Sequence, residues 1–261
     1  MLHKIPEIVH VSKTEQYNFR DDWYDIATDD NFWMQWRFEF FMKFLKKIGI
    51  STKKEYKVIE IGCGTGVFLK QMEQDTNWII SGVDINLKAL ERSKAKRSRL
   101  LLYDIYEKRE ELKQAFDVVI LMDVLEHIQN TQEFIDSCFF LLKPQGLFII
   151  NLPALQCGYS VYDKAMGHLR RYNRSKILEE FNMIRYDKVV FQYWGCTLLP
   201  LLFLRKILIS KNAEKVDAVR LGFRPPGRIL HLLLKLLMRA ELLFFRNQPI
   251  GTSLMGSIFM K

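Results

Sequence analysis

The sequence predicts a doubly wound α/β fold, in which helices cover both faces of a mostly parallel, seven-stranded sheet. Between residues 56 and 153, five short apolar runs alternate with longer amphipathic segments, which is the pattern of repeated β-α units. The apolar runs also lack strict alternation of polar and apolar residues. Both faces of the strands are therefore expected to be covered.

The elements follow in chain order. The first five strands are predicted in YKVIEI, WIISGVD, RLLLYD, FDVVILMD and GLFIINLP. Helices are predicted between them in GVFLKQMEQD, NLKALERSKAK, KREELKQ and TQEFIDSCFFLLK. RSKILEEF predicts a helix that Asn173 can cap, and KVVFQYW and SLMGSIFM predict the sixth and seventh strands. Before the core, NFWMQWRFEFFMKFLKKIG predicts an aromatic helix that ends at Gly49, with Asp29 or Asp30 as its N-cap.

These patterns divide the chain into four parts. Residues 1–52 form a helical cap, residues 53–196 the ligand-binding core, residues 197–250 a basic, leucine-rich helical insertion, and residues 251–261 the last core strand. A chain of 261 residues with 49% hydrophobic residues is long enough for this core and its additions.

Cysteine usage and the first residues indicate the compartment. The four cysteines form no C-x-x-C pair, so neither a disulfide nor a metal site is expected; they are Cys63, Cys138, Cys157 and Cys196. The segment MLHKIPEIVHVSK lacks the apolar core of a signal peptide. We therefore expect a cytoplasmic protein.

A turn with three glycines, in VIEIGCGTGVFL, follows the first predicted strand. Gly62, Gly64 and Gly66 let a ligand approach the backbone and leave amides free at the start of the next helix. The spacing is not that of a dinucleotide fingerprint, because Val67 stands where its third glycine belongs, and no Lys follows as in a P-loop. A tight turn without a ligand is the alternative.

Carboxylates near the strand ends indicate a ligand with a ribose that lacks a 2′-phosphate. Glu60 lies within the first strand, and Asp84 ends the second, 24 residues later, where a carboxylate can accept both hydroxyls of a ribose. Asp104 follows the third strand. Alternatively, Asp84 and Asp104 are solvated strand ends and Glu60 only braces the turn.

In order and spacing, five segments resemble the motifs of the class I S-adenosylmethionine-dependent methyltransferases: VIEIGCGTG, GVDIN, LLYDI, FDVVILMDVLEHI and LLKPQGLFIINLP. The resemblance implies a Rossmann-like fold with S-adenosylmethionine as cofactor. It also implies a set of cofactor-binding residues. The methionine part would lie against Glu60, Gly62, Cys63, Gly64 and Gly66, the ribose against Asp84 and Ile85, the adenine against Asp104 and Ile105, and the sulfonium against Met122 and Asp123.

A catalytic base is needed only when the acceptor is a weak acid such as an alcohol. The candidates are Glu126 and His127 in DVLEHI and His168 in MGHLRRYNRS. A neutral histidine near physiological pH can take a proton from a hydroxyl. For His127, a structural or cofactor-side role is the alternative.

The GHLRRY segment resembles a bacterial subgroup of these methyltransferases that also ends in a P-x-G-x-S-L stretch, here PIGTSLMGSIFMK. Paired arginines suit a carboxylate or phosphate on the acceptor. The predicted acceptor-binding residues are Arg170, Arg171, Tyr172, Trp33 and Arg37, the last two from a Trp-x-x-x-Arg pattern of the same subgroup. Alternatively, the arginines pin the loop to the core and Tyr172 packs there.

The functional prediction is O-methylation of a small or lipid-linked anionic acceptor. A cofactor-binding scaffold without catalysis and an RNA-directed methyltransferase are the alternatives.

The insertion concentrates the positive charge of the chain. The net charge is +9, and residues 200–246 hold ten Lys or Arg against three acids. TLLPLLFLRKILI and ILHLLLKLLMRAELLFF are too short and too interrupted to cross a bilayer. The apolar faces of the insertion have three alternative partners. The first is the protein's own core or a second copy in a homodimer, and the second is an anionic membrane surface at the inner face. The third, nucleic acid, is disfavoured because leucines separate the charges.

Overall fold

The computed structural model describes residues 5–13, 31–181, 186–208, 227–244 and 247–261. Their centre is one sheet with the spatial order β1-β4-β3-β2-β5-β6-β8-β7. The strands are β1 (Ile8–His10), β2 (Lys57–Ile61), β3 (Ile79–Asp84), β4 (Arg99–Leu102), β5 (Phe116–Met122), β6 (Leu142–Pro153), β7 (Tyr186–Trp194) and β8 (Ser253–Met260).

The predicted α/β fold is confirmed, with one more strand than predicted. All pairings are parallel except those of β8, which runs antiparallel between β6 and β7. The additional strand is β1, which pairs with Leu100–Leu102 of β4 at the sheet edge. Its three residues are too few to show a period, and they lie in the region predicted as a purely helical cap.

Helices flank the sheet. They are α1 (Phe32–Ile48), α2 (Val67–Asp75), α3 (Leu87–Glu91), α4 (Thr131–Leu141), α5 (Val161–Ala165), α6 (Arg174–Glu180), α7 (Leu199–Leu208) and α8 (Arg228–Phe244). Val58 and Val118 belong to the hydrophobic cluster that contains the aromatic side chains of α1, whereas Ile59 and Val119 belong to the cluster on the opposite face. This two-sided burial explains the unbroken apolar runs.

The cap helix α1 ends as predicted and begins later than predicted. Gly49 adopts a left-handed conformation and donates to carbonyls of the last turn. The N-cap is Asn31, whose Oδ1 accepts from Trp33 N at 2.9 Å. Asp29 and Asp30, the predicted caps, lie outside the described residues.

Two predicted helices are shorter in the structure. NLKALERSKAK forms only α3, and KREELKQ forms a single 3-10 turn, Glu110–Leu112. The first is cut short because the Glu73 carboxylate accepts from the backbone amides of Lys96 and Ser98. These bonds hold the segment after α3 as a loop.

Helix α8 is fixed to the core by a buried carboxylate. Glu241 accepts hydrogen bonds from Gly195 N, Thr197 N, Thr197 Oγ1 and Gln248 Nε2. Leu234 and Met238 are buried on the same side of the helix. Among the described helices, none is long and apolar enough to cross a membrane.

Glu241→Ala is expected to lower the free energy of unfolding by about 2–4 kcal/mol, because the buried amide of Gly195 and the partly buried amide of Thr197 lose their acceptor. Urea unfolding measures this change. Arg239→Ala, on the exposed side of the same helix, is the control and should shift the value by about 0.5 kcal/mol or less. Equal stability of the two variants would show that α8 docks by apolar contacts alone.

Candidate active site

The glycine turn lies at the carboxyl end of β2 and has no room for side chains. Gly62 and Gly66 have φ angles of +74° and +65°. A Cβ on Gly62 would lie 2.6 Å from Val124 Cγ2, and a Cβ on Gly66 would lie 2.5 Å from Ser93 Oγ. Both conformation and close packing therefore require glycine at these positions.

The amides available to an anion are those at the start of α2. Within the turn, the amides of Gly62 and Cys63 donate to Val83 O. Gly66, the N-cap of α2, provides no side chain to the first helical amides. Such a helix start favours a carboxylate, both through its amides and through the helix dipole.

Asp84 joins the glycine turn to the end of β3. Its Oδ2 accepts from Gly64 N and its Oδ1 from Asn86 N, both at 2.8 Å. Each oxygen retains a second lone pair that a ribose hydroxyl can use. Asp104 caps a short turn instead: its Oδ1 accepts from Tyr106 N, and Ile105 is buried beside it.

Glu60 is a buried acid with an unsatisfied oxygen. Glu60 is 2% exposed, and its Oε2 has no hydrogen-bond partner among the described residues. Burial raises the pKa of Glu60 to about 8, and Asp84 adds to this effect while Arg37 opposes it. A buried acceptor of this kind fits a cationic ligand group.

A chain of polar contacts ties the cap helix to the end of β5. Arg37 Nη1 pairs with Asp123 Oδ2 at 2.8 Å, and Asn151 Nδ2 donates to Asp123 Oδ1 at 2.7 Å. Trp194 Nε1 in turn donates to Asn151 Oδ1 at 2.8 Å. Asp123 has a φ of +60°, a strained conformation that clusters at functional sites, and it follows the buried Met122.

The GHLRRY loop packs on the DVLEHI loop, although the two are some forty residues apart. Leu169 N donates to Glu126 O at 2.8 Å, and His127 Nδ1 lies 3.2 Å from Gly167 O. The rings of His127 and His168 meet edge to face, 4.9 Å apart. All three catalytic candidates are thus brought together.

His168 is oriented by a buried aspartate. Its Nδ1 lies 3.2 Å from Asp163 Oδ1, which Arg171 Nη2 also contacts at 2.8 Å. Although burial would raise the pKa of Asp163, the hydrogen bond from His168 and the charge of Arg171 hold it at about 2. The aspartate therefore stays ionised and favours the Nδ1–H tautomer, which leaves Nε2 as a proton acceptor.

The other two catalytic candidates, Glu126 and His127, have shifted pKa values. Glu126 is fully buried, and its carboxyl oxygens lack hydrogen-bond partners in the described part of the chain. Burial raises the pKa of Glu126 well above its usual range, and Asp123 raises it further. Burial and the nearby His168 lower the pKa of His127 to about 4. Near pH 7, both groups are uncharged.

Glu126, His127 and His168 can also each offer one metal-ligand atom, and these atoms lie within 4.8 Å of one another. The absence of a resident metal stays a prediction.

Two of the predicted acceptor-binding residues make buried contacts within the protein, as the alternative prediction of a packed loop has it. Arg171 is buried and committed to Asp163 and to Ala154 O. Tyr172 is fully buried, with its hydroxyl 3.2 Å from Glu180 Oε2. Arg170 is half-buried, 3.7 Å from Glu180, and Trp33 is half-buried and stacks on Trp194.

Sequence reasoning missed Asp163, Asn151 and Trp194. Asp163 had a local signal, because Ser160 and Asp163 form a capping box at the start of α5. Asn151 and Trp194 have no comparable signal, since each gains its role only when β6 and β7 meet the cap helix.

Comparison with known proteins agrees with this fold. Residues 33–200, well over half of the chain, match the family model described as "Methyltransferase domain". The chain belongs to this family and has the fold of the class I S-adenosylmethionine-dependent methyltransferases. Its cofactor is S-adenosylmethionine.

Curated relatives with partial matches are named ubiquinone biosynthesis O-methyltransferase. The protein from Haemophilus ducreyi is 32% identical over 105 residues, which are 36% of this chain and 44% of the relative. The mitochondrial human protein is 29% identical over 114 residues, which are 40% of this chain and 31% of the relative. The chain thus spans less than half the length of these relatives.

Solved structures share the fold. A methyltransferase from Archaeoglobus fulgidus has a TM-score of 0.53 at 16% identity, covering 85% of this chain and 94% of its own. A phosphoethanolamine N-methyltransferase from Haemonchus contortus, solved with phosphomonomethylethanolamine and S-adenosylhomocysteine, has a TM-score of 0.55 at 18% identity. It covers 84% of this chain and 52% of its own.

The residues at the edge of the sheet fit S-adenosylmethionine in their chemistry. The uncapped start of α2 suits the carboxylate, the unsatisfied oxygen of Glu60 suits a positively charged group, and the Asp84 carboxylate suits ribose hydroxyls. None of these groups requires a phosphate.

Proposed function

We propose that this methyltransferase acts on a hydroxyl oxygen of a small or lipid-linked acceptor that carries an anionic group. The observation that supports the proposal is the His168–Asp163 pair, in which His168 Nε2 lies 3.9 Å from Oε1 of Glu126, three residues after Asp123. The names of the curated relatives support oxygen as the accepting atom. A phosphate-bearing ligand in one structural neighbour is compatible with an anionic acceptor.

Bound S-adenosylmethionine would supply an activated methyl group. The first amides of α2, Glu60 and Asp84 would hold it, while Met122 and Asp123 would line the sulfonium side. Because the carbon is already activated, the protein mainly has to align the acceptor and exclude water. The cap helix contributes to exclusion, since Arg37 ties it to Asp123.

In this mechanism His168 Nε2 takes the proton of the acceptor hydroxyl. Nδ1–H donates to Asp163, which stabilises the charge that the ring gains, and Arg171 holds Asp163 in place. Arg171 is thus a positioning residue. Arg170, half-buried on the same loop, is the cation that we assign to the anionic group of the acceptor.

The test is S-adenosylhomocysteine release with matched acceptors: an aromatic alcohol with a carboxylate, the same alcohol without it, and the corresponding amine. The anionic alcohol should be turned over best, and Arg170→Ala should raise its KM by about tenfold while leaving the neutral alcohol unchanged. Lys164→Ala, an exposed lysine near the loop, is the control. Turnover of the amine alone would overturn the oxygen assignment, and cofactor hydrolysis with no acceptor turned over would favour a scaffold.

Cofactor binding is expected to tighten as the pH rises towards 8. Below that pH Glu60 is protonated in the free protein, and a cationic ligand favours its ionised form, so binding releases a proton. The affinity should rise by up to about tenfold per pH unit below 8. Titration calorimetry near pH 7 in buffers of different ionisation enthalpy measures the released proton.

Glu60→Gln should abolish this proton release, whereas Glu55→Gln, at an exposed position before β2, should retain it. If Glu60→Gln releases the same number of protons as the wild type, the released proton comes from another group.

A further inference from the structure

Helix α7 exposes most of its apolar side chains, while both of its charged side chains contact the protein. The guanidinium of Arg205 lies 3.8 Å from the centroid of the Tyr162 ring, and Lys206 Nζ donates to Cys157 O at 2.6 Å. Lys206 is exposed beside this contact, and the exposed apolar side chains of the helix are Leu201, Phe203, Leu204, Ile207 and Leu208. A helix that faces water has the opposite arrangement.

Helix α8 also exposes a wide apolar face. Its only acid, Glu241, is buried and fully hydrogen-bonded, and Leu234 and Met238 supply the apolar contact with the core. The exposed apolar residues are Leu230, Leu232, Leu233, Leu236, Leu237, Leu243 and Phe244. Apolar patches of this extent mark an interaction surface.

Cations lie at the border of the exposed face of α8. Lys235 and Arg239 are one turn apart, and Arg239 is close along the helix to Leu232, Leu236 and Leu243. In the described part of the insertion, no exposed acid balances them. Leucines flanked by lysine and arginine are the composition of helices that lie in the headgroup region of anionic bilayers.

The two helices share a contact with one turn, and α7 adjoins the segment before the acceptor loop. Both contact the turn Cys196–Leu198, and α7 also contacts the turn Gln156–Gly158, which precedes α5. Through the stacking of Arg205 on Tyr162, α7 reaches the residue next to Asp163. A surface that holds α7 would therefore lie beside the loop that carries His168.

We propose that the outward faces of α7 and α8 dock on an anionic lipid bilayer. The apolar side chains enter the headgroup region, Lys235 and Arg239 bind anionic headgroups, and an acceptor carried by lipid can approach His168 from the membrane. This goes beyond the proposed reaction, because docking holds whatever atom is methylated. A two-fold dimer through this face would instead place Lys235 and Arg239 of two copies in one interface, and the described part of the insertion offers no exposed acid to pair with them.

The test is flotation of the full chain with phosphatidylcholine vesicles that contain about 30% phosphatidylglycerol, at low and high salt. The wild type should float with these vesicles, less at high salt and less with pure phosphatidylcholine. Leu232→Glu/Leu236→Glu should bind at least about tenfold less. Ile79→Glu, an equally exposed apolar position at the start of β3, is the matched control and should bind as the wild type does.

Lys235→Glu/Arg239→Glu leaves the leucines in place and should lose only the preference for anionic vesicles. Unchanged binding of S-adenosylmethionine shows that each variant is folded, so failure of docking is distinct from failure of the reaction. Absence of flotation, equal flotation of the leucine variant, or a wild-type dimer that the leucine variant dissociates would each overturn the proposal. So would salt-sensitive binding to single-stranded RNA without binding to vesicles.

Discussion

His168→Ala is expected to lower kcat by about a hundredfold to ten-thousandfold, because the variant loses the group that we assign as the proton acceptor. The KM for S-adenosylmethionine should stay unchanged, since no cofactor-binding residue is altered. Release of S-adenosylhomocysteine with an alcohol acceptor measures both constants. The partner of His168, Asp163, keeps its ion pair with Arg171 in this variant, so the loop should stay folded.

Two further histidines test the assignment. His127 is a weak base, because burial lowers its pKa to about 4, so His127→Ala should reduce kcat by about fivefold or less. His231→Ala on α8 should leave kcat unchanged. If His168→Ala stays within a few-fold of the wild type, His168 is not the base. A large loss in His127→Ala alone would transfer the role to His127.

Asp84→Ala is expected to raise the Kd for S-adenosylmethionine by about a hundredfold or more. The variant loses the ribose contacts, and it also removes the acceptor for Gly64 N and Asn86 N, on which the conformation of the glycine turn depends. Titration calorimetry with the cofactor measures the effect.

The control is Asp117→Ala. Its carboxylate also holds a backbone amide, that of Lys57, and it contacts Lys143 Nζ, but it lies at the opposite end of the sheet. The control should bind the cofactor as the wild type does. Binding by Asp84→Ala within about threefold of the wild type would contradict the ribose assignment.

The donor side of the site could be predicted from sequence because its determinants are local. The glycine turn follows directly from β2, and Asp84 and Asp104 stand at the ends of consecutive parallel strands, which meet at one edge of the sheet. Strand order and edge position are thus enough to bring these residues together.

The acceptor side could be predicted only in part, because its contacts join distant segments. Nothing local links Arg37 to Asp123, 86 residues later. The two arginines also differ in their surroundings. Neighbouring residues of an extended segment point to opposite sides, so Arg171 turns inwards to Asp163 while Arg170 stays near the surface. Spacing alone cannot distinguish the two arginines.

The packing of the leucine-rich insertion could likewise be predicted only in part from the sequence. Its pattern indicated a wide apolar face and a narrow polar stripe, but which face meets the core depends on where Glu241 finds backbone donors. Five of the ten cations in residues 200–246 lie outside the described residues: Lys211, Lys215, Arg220, Arg224 and Arg246.

The cluster of tryptophan side chains that joins the cap helix to the sheet should report ligand binding at the strand ends through its fluorescence. Trp33 stacks on Trp194 with ring centroids 4.7 Å apart, and Trp36 meets Trp194 at 5.8 Å. These are three of the five tryptophans of the chain, and the Trp194 indole N–H is bonded to the asparagine that holds Asp123. Intrinsic fluorescence should therefore respond to titration with S-adenosylhomocysteine, and Asn151→Ala should weaken that response. The cap thus contains its own label-free reporter.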